Sequence, residues 1–170
     1  MRCSQCAQEH PDEDMELTFR RPDAVVALSP EDRSSDVRES DDVCLMRGGR
    51  FFVRGVLPLP VTGRSVPYRI GLWVEVDETA YARVDERWND PDQADEPAMP
   101  ARVANAIPNL PDTLGLDAAL RLTGPRSRPD IFVADPSHPL ALEQAGGITA
   151  HRAFEYTLLA MRGGGGGPVH

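Results

Sequence analysis

Cys3, Cys6 and His10 form a C-x2-C-x3-H run within the first ten residues. Thiols two residues apart can both reach one ion, and the imidazole that follows adds a third ligand, which is how short zinc knuckles begin. One other cysteine exists, Cys44, in Asp41-Asp42-Val43-Cys44. If Cys44 folds back onto the run, the site closes as Cys3His around a structural zinc, with Zn–S near ~2.3 Å and no open position for water. Two other readings stand beside it. The cysteines can be reduced and without a role, or Cys3 and Cys6 can form a redox pair. The redox motif usually opens a helix after a strand, and no such pattern surrounds these residues.

His138 lies between prolines in Asp135-Pro136-Ser137-His138-Pro139. Rigid placement of a histidine suits ligand binding or catalysis. It equally suits a capping or buried hydrogen-bonding histidine that fixes the corner, and that is the preferred reading. Glu143 and Gln144 face the same place one turn later if a helix forms there. No nucleophile elbow, H-E-x-x-H or glycine-rich phosphate loop accompanies them, so no catalytic or cofactor-binding residue is assigned. Arg54 sits among apolar residues in Arg50-Phe51-Phe52-Val53-Arg54-Gly55-Val56. An inward arginine must be paired, because a lone buried charge is costly. Either it anchors an anionic ligand, or it pairs with a carboxylate such as Glu75 or Asp77. The structural pair is preferred. Trp73 and Trp88 are expected in the core.

The elements that must position these residues are legible to different degrees. Ser29-Pro30-Glu31-Asp32 reads as a helix start, with serine at the cap and acids at the positive end of the dipole. Residues 50–61 are rich in β-branched and aromatic side chains. Residues 68–76 alternate, with Tyr68, Ile70, Leu72, Val74 and Val76 on one face. Thr62-Gly63-Arg64-Ser65 between them is a turn composition, so the two runs pair antiparallel. Pro58 and Pro60 lack ladder donors and mark an edge or an early end. Gly55 and Gly71 permit bulges or close packing by a bulky neighbour. Residues 78–88 predict a helix with Tyr81, Val84 and Trp88 on one face. Residues 89–100, rich in Asp and Pro, are the best candidate for a mobile loop. Residues 113–123 and 129–134 read as two further strands. A short helix follows His138, and Thr149 caps a last one reaching Met161. The fold class is therefore α+β: a single domain over residues 1–162, an antiparallel sheet with flanking helices, and an N-terminal Cys/His knuckle within residues 1–44 that packs on it. Residues 163–170 are a glycine-rich tail.

Composition narrows the function classes. All 18 basic residues are arginine, which excludes any P-loop, Schiff-base or pyridoxal-phosphate lysine. A net charge of −9 opposes the attraction on which non-specific nucleic-acid binding rests, so nucleic acid is not an expected partner. No apolar stretch reaches the ~20 residues needed to span a bilayer, and no signal peptide is seen, so no membrane partner and a cytoplasmic location are expected. Reduced thiols there favour metal over a disulfide.

Several motifs occur together in order. They include Cys3-x2-Cys6-x3-His10, Ser40-Asp41-x2-Cys44, Phe51-Phe52-x-Arg54-Gly55-x-Leu57-x2-Pro60 and Gly71-x-Trp73-Val74. Further along come Trp88-x2-Pro91, Pro111-x-Thr113, Arg128-Pro129 and His138-Pro139-Leu140-Ala141-x2-Gln144-x2-Gly147-Ile148. With these, roughly residues 1 to 161 resemble a bacterial family known as domain of unknown function 2199. Ala7 stands where the family pattern has glycine, and Pro100-Ala101-Arg102-Val103 where it has an aromatic Gly-Trp-Leu segment. The resemblance implies a compact bacterial cytoplasmic domain and transfers no reaction. The mildly preferred function is a non-enzymatic binding or interaction module with a structural zinc site, whose partner is a protein or a small molecule. The alternatives are a small enzyme with a site around His138 and Arg54, and an immunity-type protein that neutralises a toxin.

Overall fold

The computed structural model describes residues 15–165. Two short helices, α1 (Asp23–Val26) and α2 (Pro30–Asp36), lead into a ribbon of β1 (Val37–Glu39) and β2 (Val43–Met46). The long strands β3 (Arg50–Leu59) and β4 (Tyr68–Val76) follow, then α3 (Glu78–Arg87), β5 (Met99–Val103), β6 (Asp117–Arg121) and β7 (Asp130–Val133). The chain closes with α4 (Pro139–Gly146) and α5 (Ala150–Gly165). The mixed α+β class expected from the sequence is the one found. The helix starts also fall where expected: Ser29 Oγ accepts from the Asp32 amide at 3.1 Å and Thr149 Oγ1 from the Arg152 amide at 3.1 Å. α5 takes in Gly163 to Gly165, so the expected tail begins within the helix.

The sheet departs from the expectation of a purely antiparallel array. Each strand from β3 to β7 runs antiparallel to the one before it, and β7 then returns to pair with β3. An up-and-down array with an odd number of strands must close with one parallel pair, and the β3–β7 pair, Val56 opposite Asp130, is that pair. The result is a five-stranded barrel with the β1–β2 ribbon extending from one end of β3.

The alternation read in residues 68–76 has its cause here. Tyr68, Ile70, Leu72, Val74 and Val76 are all buried and share a face with Val53, Leu57 and Leu59 across the β3–β4 register. That inner face also takes Leu120 and Ile131. α3 packs on it, with the Phe51 and Tyr81 rings stacked at 5.1 Å. Tyr68 stacks on Tyr156 of α5 at 5.9 Å. The segment before α1 runs alongside β4, with Thr18 in a parallel bridge to Gly71. Gly71 accepts from the Phe19 amide at 2.8 Å and donates to Leu17 O at 2.9 Å, and Trp73 Nε1 donates to Phe19 O at 3.1 Å.

Residues 89–100, expected as a mobile loop, are built around Gln93. This side chain is buried and its Nε2 donates to the carbonyls of Arg87, Trp88 and Asp90 at 3.0, 2.9 and 3.3 Å. Strand β5 emerges from the end of that segment.

Candidate functional site

One edge of β3 serves two strands. β2 occupies it from residue 50 to 53, and β7 takes it over at Val56. Both strands begin at this point: the Arg54 amide donates to Asp42 O and the Val56 amide to Pro129 O, each at 2.8 Å. The handover needs glycine at position 55, because a Cβ there would sit 2.8 Å from the Ile131 side chain and 2.9 Å from Pro129 O. The residues entering β2 and β7 therefore converge on Arg54. Arg54 projects on the outer face, paired in register with Trp73.

The Arg54 guanidinium has a poor set of partners. Its Nη1 reaches the Asp41 carbonyl at 3.3 Å, and its Cζ lies 5.9 Å from the Trp73 ring centre. Its Nε is buried with no hydrogen-bond partner. The carboxylates expected to pair with it are engaged elsewhere, which corrects that reading. Glu75 holds Arg50 through two bonds, at 2.9 and 2.7 Å, and Asp77 caps α3 by accepting from the Ala80 amide at 2.7 Å. Burial pushes the Arg54 pKa down. Neighbouring Arg128 and, more weakly, Arg20 add to this, against the opposing pull of Asp42 and Asp41. Arg128 itself donates from Nε to Asp42 Oδ1 at 2.9 Å. The sequence shows Arg128 only within the Arg128-Pro129 motif and Asp42 only within Asp41-Asp42-Val43-Cys44, with no site role for either. Their role depends on two chain segments 86 residues apart.

From Arg128 a groove of about 620 Å³ runs along the outer barrel surface. Val56 and Gly71 form its floor, with Thr18 packed over Gly71. Arg69, tied to Glu16 at 3.4 Å, lines one part, and the turn bearing Thr123, Arg126 and Ser127 lines another. Asp130 also borders the groove, and burial raises its carboxyl pKa while Arg121 pulls it back.

His138 stands at a corner. It is the N-cap of α4: Nδ1 accepts from the Leu140 amide at 3.0 Å, and Nε2 lies 2.6 Å from Pro111 O. A carbonyl can only accept, so Nε2 carries the proton and Nδ1 is bare. Gln144 staples α4 to the barrel. Its Oε1 accepts from the Val133 amide at 2.9 Å, and its Nε2 donates to Ile131 O at 2.9 Å and Pro58 O at 3.3 Å. Glu143 turns to α5, accepting from Tyr156 Oη at 2.7 Å and Arg152 Nε at 2.8 Å. His138 and Gln144 thus share the α4 corner, and Arg54 has no hydrogen bond to either.

Cys3, Cys6 and His10 lie outside the described residues. Cys44, on β2, is fully buried beside Phe52, and burial first, then Glu39, pushes its thiol up to about 12, with Arg21 opposing. Among the described residues, no group of three or more His, Cys, Asp or Glu could hold a metal ion. Nor does any described helix have the length and apolarity to cross a membrane.

Fold and surface together define a single mixed α+β domain: a five-stranded barrel with a ribbon, flanking helices and an arginine-lined outer groove. The family model for an uncharacterised protein conserved in bacteria, domain of unknown function 2199, matches residues 2–148, and the chain belongs to that family. The match ends before α5, short of the span to residue 161 over which the motifs suggested a resemblance. No curated protein and no solved structure matches the chain.

Proposed function

We propose that the domain is a non-enzymatic binding module, and that its binding face is the outer barrel surface where β2 and β7 meet, recognising an anionic group. The observation that carries this reading is Arg54. It is a half-buried guanidinium with no carboxylate bonded to it among the described residues: Arg128 and Arg20 repel it, and Asp42 and Asp41 offset them only through space. Burying an uncompensated charge destabilises a fold, and such arrangements gather at functional sites. An anion at this face would supply the bonded counter-charge that Asp42 and Asp41 do not, through charge-assisted hydrogen bonds. His138 and Gln144 have their polar side-chain atoms engaged by the backbone, which favours a scaffold role for that corner over a catalytic one.

Thermal melts in phosphate, sulfate, citrate and a glutamate-rich peptide test the reading. At about 10 mM a binding anion should raise the parent's melting temperature by a few degrees through mass action, and leave Arg54→Met unmoved. If no anion in the panel raises the parent above its variant, the reading fails. The structural zinc at Cys3, Cys6, His10 and Cys44 belongs to the same proposal. Its ligands must be deprotonated, so the buried, high-pKa Cys44 would have to give up its proton to join. Purified protein should hold about one zinc per chain and lose it in Cys6→Ser. Metal-free protein, prepared reduced and without chelator, would remove zinc from the proposal.

A further inference from the structure

Between the β1–β2 turn and α3 lies a cavity of about 150 Å³. Ser40 and Asp42 line it from the turn, and Tyr81, Asp85 and Trp88 from α3 and its C-cap. Spacings of four and three place the last three residues on one side of a helix. Both walls are held in place. Ser40 Oγ accepts from the Asp42 and Val43 amides at 3.3 and 3.2 Å, and the Tyr81 ring stacks on Phe51 at 5.1 Å. Two motifs noted in the sequence, Ser40-Asp41-x2-Cys44 and Trp88-x2-Pro91, meet here.

The wall is acidic and aromatic. The Asp85 carboxylate has no ion pair or hydrogen bond among the described residues. It acts on Tyr81, whose phenol pKa is raised by burial first and then by this carboxylate. Asp42 gives Oδ1 to Arg128 at 2.9 Å, and its Oδ2 has no donor among the described residues. The cations in this region are Arg128; Arg54, on which Arg128 and Arg20 act together with Asp42 and Asp41; and Arg83 and Arg87, held by Glu96 and Asp90. None of them lines the cavity, and none is bonded to Asp85. The volume lies below the ~300–1,000 Å³ of small-molecule sites, so the cavity suits one end group rather than a whole ligand. Two carboxylates also fall short of the six to eight oxygens that a calcium ion takes. Rings beside carboxylates attract an organic cation, the rings by cation–π contact and the carboxylates by charge-assisted hydrogen bonds.

We infer that this cavity receives a lysine or arginine side chain from a basic partner protein. The inference goes beyond the anion-binding reading and does not depend on it. The aliphatic stem of either side chain suits the apolar remainder of the wall, where Val84 lies. The rest of the partner stays outside, where the chain's charge of −9 favours a basic surface.

NMR titration of the full chain tests this. The indole N–H signal of Trp88, told from that of Trp73 by its loss in Trp88→Phe, is followed against short capped glycine peptides with a central lysine, arginine or norleucine. The lysine or the arginine peptide should bind about tenfold tighter than the norleucine peptide, and n-butylammonium no tighter than the better of the two. Asp85→Asn should weaken the basic peptides about tenfold and leave the norleucine peptide unchanged. Asp85 is exposed and has no ion pair among the described residues, so this variant should fold as the parent does. Norleucine binding as tight as lysine and arginine, or basic peptides unmoved by Asp85→Asn, would overturn the inference. So would a Trp88 signal that no peptide shifts. Tighter binding of n-butylammonium than of either basic peptide would assign the cavity to a free amine and overturn the protein partner. Calcium shifting the signal at lower concentration than the peptides would make this a metal site instead.

Discussion

His138 and Arg54 can be separated by what each would leave behind if removed. His138→Ala strips a cap from α4 and loses the bond to the exposed Pro111 carbonyl, so it should lower stability by about 1–2 kcal/mol in denaturant melts. Arg54→Met keeps an apolar stem over Trp73 while deleting a desolvated charge that has no carboxylate bonded to it. Replacing such a charge by an apolar group is often neutral or stabilising, so this variant should melt at or above the parent. That reverses the order expected from a buried Arg54–carboxylate pair. An Arg54→Met variant less stable than His138→Ala would mean that a partner for Arg54 exists after all. The cap on Leu140 was legible in the sequence because it reaches only two residues, across Pro139. The Pro111 contact, 27 residues away, was not. Arg54 was legible as an arginine needing an explanation, but Arg50 lies four residues earlier on the same face of the strand and claims Glu75 first.

At the scale of elements, β3 bears the architecture, and Gly55 is where it yields to β7. Gly55→Ala would press a methyl against Ile131 and the Pro129 carbonyl, and overpacking of this kind costs about 1–3 kcal/mol. Ile131→Val in the same chain should recover only part of the loss, because the carbonyl cannot retreat with the side chain. Melts of the single and double variants check this, and full recovery would place the clash on Ile131 alone. β3, β4 and the caps of α2, α4 and α5 were legible because their signals are local: alternation, β-branching, and a serine, a threonine or a proline-flanked histidine before a helix. β1, β2 and β5 were not. β1 is three residues with two exposed charges, and β5 alternates cleanly but carries Pro100 and follows an acidic, proline-rich stretch. Barrel closure was illegible for another reason. It depends on a single parallel pairing between segments more than 70 residues apart, and no local pattern encodes that.

For the whole molecule, the protons to watch are on the alkaline side. Burial pushes the Cys44 thiol from 9.0 to about 12 and raises the Tyr156 phenol as well, helped there by Glu143. Both groups hold their protons more tightly folded than unfolded. Their contribution is complete below the unfolded values, near 9.0 for the thiol and 10.0 for the phenol, and is lost as pH rises beyond them. Urea unfolding from about pH 8 to 11 should show stability falling, with a shallower fall in Cys44→Ala. A Cys44 thiolate bound to zinc would behave oppositely, releasing metal and stability on acidification. An unchanged alkaline slope in Cys44→Ala would therefore favour the metal reading.

Closing the barrel also decides how the molecule meets its own copies. Among the described strands, only β1 has no neighbour on one side, and it is three residues long with Arg38 and Glu39 exposed. Free strand edges template sheet-to-sheet association, and short charged edges discourage it. β2 and the parallel return of β7 thus share the covering of one edge of β3, the longest described strand.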